Sequence, residues 1–294
     1  MNGLLVIDKP AGWTSHDVVA RVRRITGERS VGHLGTLDPM ATGVLPLVLG
    51  KWTRLAQFYL DARKEYAGTI RFGFATDTYD AEGAPLGEAK AVTFTETELQ
   101  EAVEGFRGVI QQMPPPFSAK KIKGVPAYKL ARQEREIELE PVEVTVGELE
   151  VGPLKVGPNK DGTVEFRAYV SSGTYVRSLA HDLGQKLGVG AHLAGLRRTR
   201  HAEFDVAGSV TLERLEAAGS ASEFMVSARQ VLPKFPALVA TEEQLARVRH
   251  GNTVNLMELS QAPLVKVLAP DGELAAIAKR VAGTLFQPKI VLME

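Results

Sequence analysis

The stretch GHLGTLDPMATG, from Gly32 to Gly43, holds one acidic residue, Asp38, among glycine, threonine and proline. Two roles suit a lone carboxylate there. Asp38 can cap a helix whose first residue is Pro39, since Asp accepts an orphan amide proton and Pro has none to lose. It can instead be a nucleophile held on a rigid turn. Other side chains bear on the choice. SSGTYVRSLAHDLG opens a helix, with Ser171, Ser172 or Thr174 as candidate caps, and puts Arg177 in the first turn. A cation there opposes the helix dipole, so either a buried carboxylate compensates it or it faces solvent. Tyr66, in KEYAGTIRFG, lies on a strand beside charged residues, where a core or edge tyrosine is the ordinary reading.

GFATDTYDAEG packs Asp77, Asp80 and Glu82 into one turn. The trio does not follow the calcium-loop pattern, so local capping by Asp and Gly is the expected role. His33 precedes Asp38 by five residues, while His181 and His192 fall on other elements. No metal site is expected. The chain has no cysteine, which excludes disulfides, thiolate metal sites and cysteine nucleophiles. It also lacks the glycine-rich nucleotide loops and the serine nucleophile elbow. A glycoside hydrolase would need a second carboxylate in a comparable setting, and Asp38 has no rival.

The elements that must position these residues are legible from periodicity. GLLVID reads as a buried strand. SHDVVARVRRITG reads as a helix capped by Ser15, striped by Val18, Val19, Val22 and Ile25, and stopped by Gly27. GVLPLVLG is a central strand, KWTRLAQFYL a helix and KEYAGTIRFGFAT a strand. TETELQEAVEGFRG is a capped helix, and QQMPPPFSA a proline-rich surface loop. VEVTVGELEV and TVEFRAYVSS are strands. A helix then carries Val176, Leu179, Leu183 and Leu187 on one side, and AHLAGLRRTRHAEF is a strand pair or a strand with a bend. From about residue 240, one short helix and several short strands suggest a small β-rich module behind a linker in 218–236. Helices and strands without a steady βαβ rhythm indicate an α+β first domain.

At 294 residues the chain is long enough for two domains, and 44% hydrophobic with 24% charged residues is ordinary for a globular protein. No membrane-spanning run or signal-type leader is evident, so a cytoplasmic protein is expected. Lys plus Arg and Asp plus Glu number 35 each. The zero net charge argues mildly against a nucleic-acid binder, yet basic residues cluster in 20–24, 118–135 and 196–201. Each cluster alone is ordinarily a solvated face.

LLVIDKPAGWTSHDVV, VGHLGTLDPMATGVLPLVLGKWTR, KEYAGTIRFGFATDTYDAEG, PPPFSAKKIKGVPAYKLAR and SSGTYVRSLAHDLGQKLG occur in this order, followed by AHLAGLRRTR. Together they closely resemble the bacterial TruB-type tRNA pseudouridine synthases. The resemblance implies a catalytic domain over 1–235, built on a mixed, mainly antiparallel sheet flanked by helices. It implies a small β-barrel-like PUA RNA-binding module over 236–294, where the match is weaker. The implied reaction is isomerisation of a T-loop uridine (uridine-55) of tRNA to pseudouridine, after the base has flipped out of its stack, with no cofactor. Asp38 then matches the nucleophile, Tyr66 the tyrosine that stacks on the base, and Arg177 the arginine paired with the aspartate. His33 matches the histidine that packs into the T loop. Tyr175 and Leu196 match pocket-lining positions, and Lys9 and Pro10 a supporting motif.

Lys120, Lys121, Lys123, Lys129 and Arg132 form a candidate clamp on the RNA, joined by Arg197 and Arg198 as further basic surface. The partner the resemblance implies is tRNA, and the protein is expected to be a monomer. The competing reading is a non-catalytic tRNA chaperone, which would have no use for a buried carboxylate at Asp38.

Overall fold

A computed structural model describes residues 1–117, 121–122, 125–126 and 139–293, the four residues at 121–122 and 125–126 by backbone alone. The chain divides into two compact units. One comprises Met1–Asp38, Val44–Leu60 and Glu203–Glu294, the other Pro39–Gly43 and Asp61–Ala202. In chain order, the strands that carry the argument begin with β1 (Gly3–Lys9), β2 (Val31–His33), β3 (Thr42–Leu49) and β4 (Lys64–Phe72). Next come β5 (Gly108–Gln112), β6 (Val142–Val151), β7 (Gly162–Val170), β8 (Ala191–His201) and β9 (Val210–Thr211). The last five are β10 (Ala237–Val239), β11 (Val254–Asn255), β12 (Leu264–Leu268), β13 (Leu274–Ala282) and β14 (Leu285–Val291).

In the first unit, β1 pairs parallel with β9 (Ile7 opposite Val210), and β2 antiparallel with β3 (His33 opposite Leu47). Helix α1 (Ser15–Thr26) buries Val18, Val19 and Val22. Its cap is Thr14 rather than Ser15. The Thr14 hydroxyl accepts from the Asp17 amide while the Asp17 carboxylate accepts from the Thr14 amide, so two orphan donors are satisfied at once. Gly27 ends the helix in the left-handed conformation that costs glycine least. The helix expected after β3 is a 3₁₀ turn over Gly50–Phe58.

The C-terminal strands form a sheet of order β10-β12-β13-β14-β11, parallel at β10/β12 and antiparallel elsewhere. Val248, Val254, Val265 and Phe286 fill its own apolar core. Lys266 is buried and donates to the carbonyls of Ala228, Arg229 and Val231, so burial of its ammonium is matched by three acceptors.

In the second unit the strands run β8-β4-β7-β6-β5, antiparallel throughout. The first two residues of β3 add to it in parallel, Thr42 opposite Arg197 and Gly43 opposite Arg198. Strand alternation separates two faces. On β4, Tyr66, Ile70 and Phe72 are buried. The intervening residues carry polar pairs, with Glu65 on Arg167 at 2.9 Å and Thr69 donating to Glu165 at 3.1 Å. Helix α2 (Glu96–Glu104) is capped, as expected, and the cap is a capping box of Thr95 with Glu98. Helix α3 (Val176–Lys186) buries Val176, Leu179 and Leu183, as its spacing predicts. The fold is thus α+β, built on mixed but mainly antiparallel sheets flanked by helices.

Candidate functional site

Within the first unit, the Asp38 loop is fixed from α1. The Ser15 hydroxyl donates to the Leu37 carbonyl at 3.2 Å and accepts from the Leu37 amide at 2.8 Å. Asp38 follows half-buried, and Pro39 and Met40 form a turn that leads straight into β3. No helix starts here, so Asp38 has no helix amides to cap. His33 ends β2, just ahead of the loop. Lys9 is fully buried, and its ammonium donates to the carbonyls of Pro10 at 2.9 Å and Trp13 at 2.5 Å. It holds the KPAG turn from beneath, where Gly12 adopts a positive φ of 79°.

Within the second unit, Tyr66 and Leu196 come to one sheet face. Tyr66 lies opposite Arg198, and Leu196 opposite Gly68, two residues further along. Ala168 flanks Tyr66 from β7. Residues opposite one another, and those two apart along a strand, share a face. The sequence hid this arrangement, because β8 carries bulges between Leu193 and Gly195 and between Arg198 and Arg200 that shift its register.

Arg177 stands in the first turn of α3 with its side chain 7% exposed, and a buried carboxylate does compensate it. That carboxylate is Asp80, 5% exposed, with Oδ2 at 3.2 Å from Arg177 Nη1. Arg177 also donates to the carbonyls of Thr78 at 3.0 Å and Phe117 at 2.9 Å. The other Asp80 oxygen accepts from the Thr78 hydroxyl and the Glu82 amide. Asp80 therefore shapes its turn, as expected, and carries a second duty that sequence reasoning missed. The signal lay in the demand of Arg177 for a carboxylate, but no spacing rule links positions 97 residues apart. Next to it, Tyr79 is held at a φ of 65°, a conformation costly for an aromatic residue.

None of the three expected caps holds α3. Its cap position is Tyr175, without a side-chain bond, while Ser171 accepts from the Thr145 amide instead. Gln112 does the work from β5. Its amide oxygen accepts from the Tyr175 N–H at 2.8 Å, and its amide nitrogen donates to the Tyr175 carbonyl at 3.0 Å. Ser178 donates to the Met113 carbonyl at 2.7 Å. The proline-rich segment expected on the surface is thus laced to the helix, with Pro114 and Pro115 buried.

Arg197 and Arg198, grouped as basic surface, separate. Arg197 is partly exposed and donates to the Thr42 hydroxyl at 3.4 Å, whereas Arg198 is 0% exposed and is no part of a surface. Adjacent strand residues point to opposite faces, so both could not be exposed on one. Arg198 stands directly opposite Tyr66 across β8 and β4, and both are buried. Burial and this cation push the His201 imidazole down to about 2, and burial first, then Arg198, brings the Lys64 ammonium to about 8. Lys120, Lys123, Lys129 and Arg132 lie outside the described residues, as does the side chain of Lys121. Among the described residues, no group of three or more His, Cys, Asp or Glu side chains is arranged to hold a metal ion. No described helix is long and apolar enough to cross a membrane.

Two adjoining family domains match residues 23–233. Residues 23–176 match the N-terminal domain of the TruB family pseudouridylate synthases, and 177–233 the tRNA pseudouridylate synthase B C-terminal domain. A tRNA pseudouridine synthase B of Solibacter usitatus is 46% identical over 298 residues, covering 99% of this chain and 100% of that protein. One from Aquifex aeolicus is 40% identical, with both chains covered in full. Among solved structures, a Cbf5-Nop10-Gar1 complex contains a chain with a TM-score of 0.69 and 28% identity, covering 99% of this chain and 85% of that one. An H/ACA RNP bound to a substrate RNA containing 2′-deoxyuridine gives a TM-score of 0.68 at 26% identity, with the same coverage.

Proposed function

The chain belongs to the TruB family of tRNA pseudouridine synthases, and from that membership we propose that it isomerises a T-loop uridine of tRNA, uridine-55, with Asp38 as the catalytic carboxylate. The observation that carries the reading is the setting of Asp38, a carboxylate on a turn stapled by Ser15 with no helix to cap. The C1′–N1 glycosidic bond breaks, the uracil turns, and C5 bonds to C1′. The proton lost from C5 is balanced by one gained at N1, so neither redox chemistry nor a cofactor is required. The carboxylate adds at C1′ or at C6, or assists loss of the ribosyl proton, and each route needs it ionised. By the family resemblance, Arg177 serves Asp38 as its cation in addition to its pair with Asp80.

The target base must first leave its stack, at a cost of a few kcal/mol. Stacking on Tyr66 and filling of the gap by His33 offset that cost, and Tyr66 assists removal of the C5 proton. Tyr175 and Leu196 line the pocket, and Lys9 with Pro10 supports the turn before α1. Residues 1–235 form the catalytic domain of this cytoplasmic, monomeric enzyme and 236–294 a PUA-like RNA-binding module. Lys120, Lys121, Lys123, Lys129, Arg132 and Arg197 supply basic contacts to the T-stem loop. The test is tritium release from C5-labelled uridine in unmodified tRNA, with tRNA binding measured alongside. Release by the wild type and none by an Asp38→Asn protein that still binds is the expected result. Equal release from both would remove Asp38 from the chemistry, and binding without release by either would favour a tRNA chaperone.

A further inference from the structure

Gly43, Arg198, Tyr66 and Ala168 lie abreast on the four neighbouring strands β3, β8, β4 and β7. The two outer residues are small and the two inner ones form a pair. A Cβ at Gly43 would come within 2.2 Å of the Arg198 carbonyl oxygen, so β3 can approach β8 this closely only with glycine there. Ala168 is buried on the far side of Tyr66. One row along the same face, His201 lies opposite Lys64, and neither His201 ring nitrogen has a hydrogen-bond partner among the described residues. A fully buried guanidinium beside a buried, uncharged imidazole and a second basic side chain is costly to keep as plain structure. Directly opposite it on β4 stands Tyr66, also buried, with its phenol on the same face.

We propose that Arg198 is a positioning residue for Tyr66, fixing the phenol through a hydrogen bond to its oxygen within a row where glycine and alanine leave room for the pair. The charged donor makes this bond stronger than a neutral one. The face therefore presents Tyr66 in one orientation beside Leu196, and the target uracil meets a preset ring and hydroxyl. The inference rests on the reading that Tyr66 acts on the uridine.

The test uses full-length Arg198→Met, Arg198→Lys and Tyr66→Phe. Single-turnover tritium release and tRNA binding are measured for each, with ¹³Cζ-tyrosine NMR of the free proteins. The Tyr66 resonance is identified by its loss in Tyr66→Phe. In Arg198→Met the expected result is a rate about 100-fold lower, tRNA affinity within about twofold, and movement of the Tyr66 resonance alone. Arg198→Lys, which keeps a charged donor and the fold, recovers part of the rate. An unmoved Tyr66 resonance in both Arg198 variants would overturn the positioning role. So would rate and affinity falling together while all tyrosine resonances shift. A Tyr66→Phe enzyme with wild-type rate would overturn the catalytic reading of Tyr66, an outcome distinct from these.

Discussion

Asp80 and Arg177 form a buried ion pair, 3.2 Å from Oδ2 to Nη1, between a turn that follows β4 and the first turn of α3. The pair solves a local problem. The positive end of α3 disfavours a cation, and the carboxylate restores the balance. It also joins two segments far apart in sequence, since Arg177 grips the Thr78 carbonyl from the same nitrogen.

Removing one member of such a pair takes a buried charged partner from the other. Asp80→Asn should lower stability by about 3–5 kcal/mol, read as a lower urea midpoint with an unchanged slope. Tritium release should fall further than tRNA binding, because Arg177 loses the group that orients it. A variant with wild-type stability would show that Arg177 does not depend on Asp80.

Gly43 has a φ of 98°, and a side chain there would collide with the Arg198 backbone. Gly43→Ala should cost at least about 2 kcal/mol from backbone strain alone. The collision should also part β3 from β8 and reduce activity more than its single added methyl suggests. Thermal unfolding together with tritium release checks both effects.

Buried His201 and half-buried Asp182 give pH dependences of opposite sign. His201 is held neutral in the fold, pushed down to about 2 from an ordinary 6.5 by burial and by Arg198. Below about pH 6.5 the unfolded chain takes up a proton that the native state refuses. Stability present above that pH is therefore lost as the pH falls toward 2, by at most ~1.4 kcal/mol per pH unit. His201→Leu should flatten this acid limb. Asp182 is raised by burial to about 6 from 3.8, so the native state binds the extra proton and stability is lost as the pH rises through that window. Asp182→Asn should therefore gain stability above pH 6, by about 1 kcal/mol, because its partial exposure screens the effect. Urea titrations at pH 4, 5, 6 and 7.5 separate the two.

Features that depend on neighbours along the chain were legible before any fold was known. Helix stripes such as Val18, Val19 and Val22 came from period, and the Gly27 stop from backbone freedom. The missing cysteines and nucleotide loops removed whole reaction classes. The motif around Asp38 pointed to its family because its residues are contiguous. It could not say whether Asp38 caps a helix, since that depended on whether the chain after Pro39 coiled or extended. It extends, because Thr42 and Gly43 pair with β8. Asp80 as the counter-charge to Arg177, and Gln112 as the clasp on Tyr175, were likewise decided only in three dimensions. So was the burial of Arg198 beside Tyr66, which follows from strand register and two bulges. A register couples residues more than a hundred positions apart, and a shift of one position carries a side chain to the opposite face.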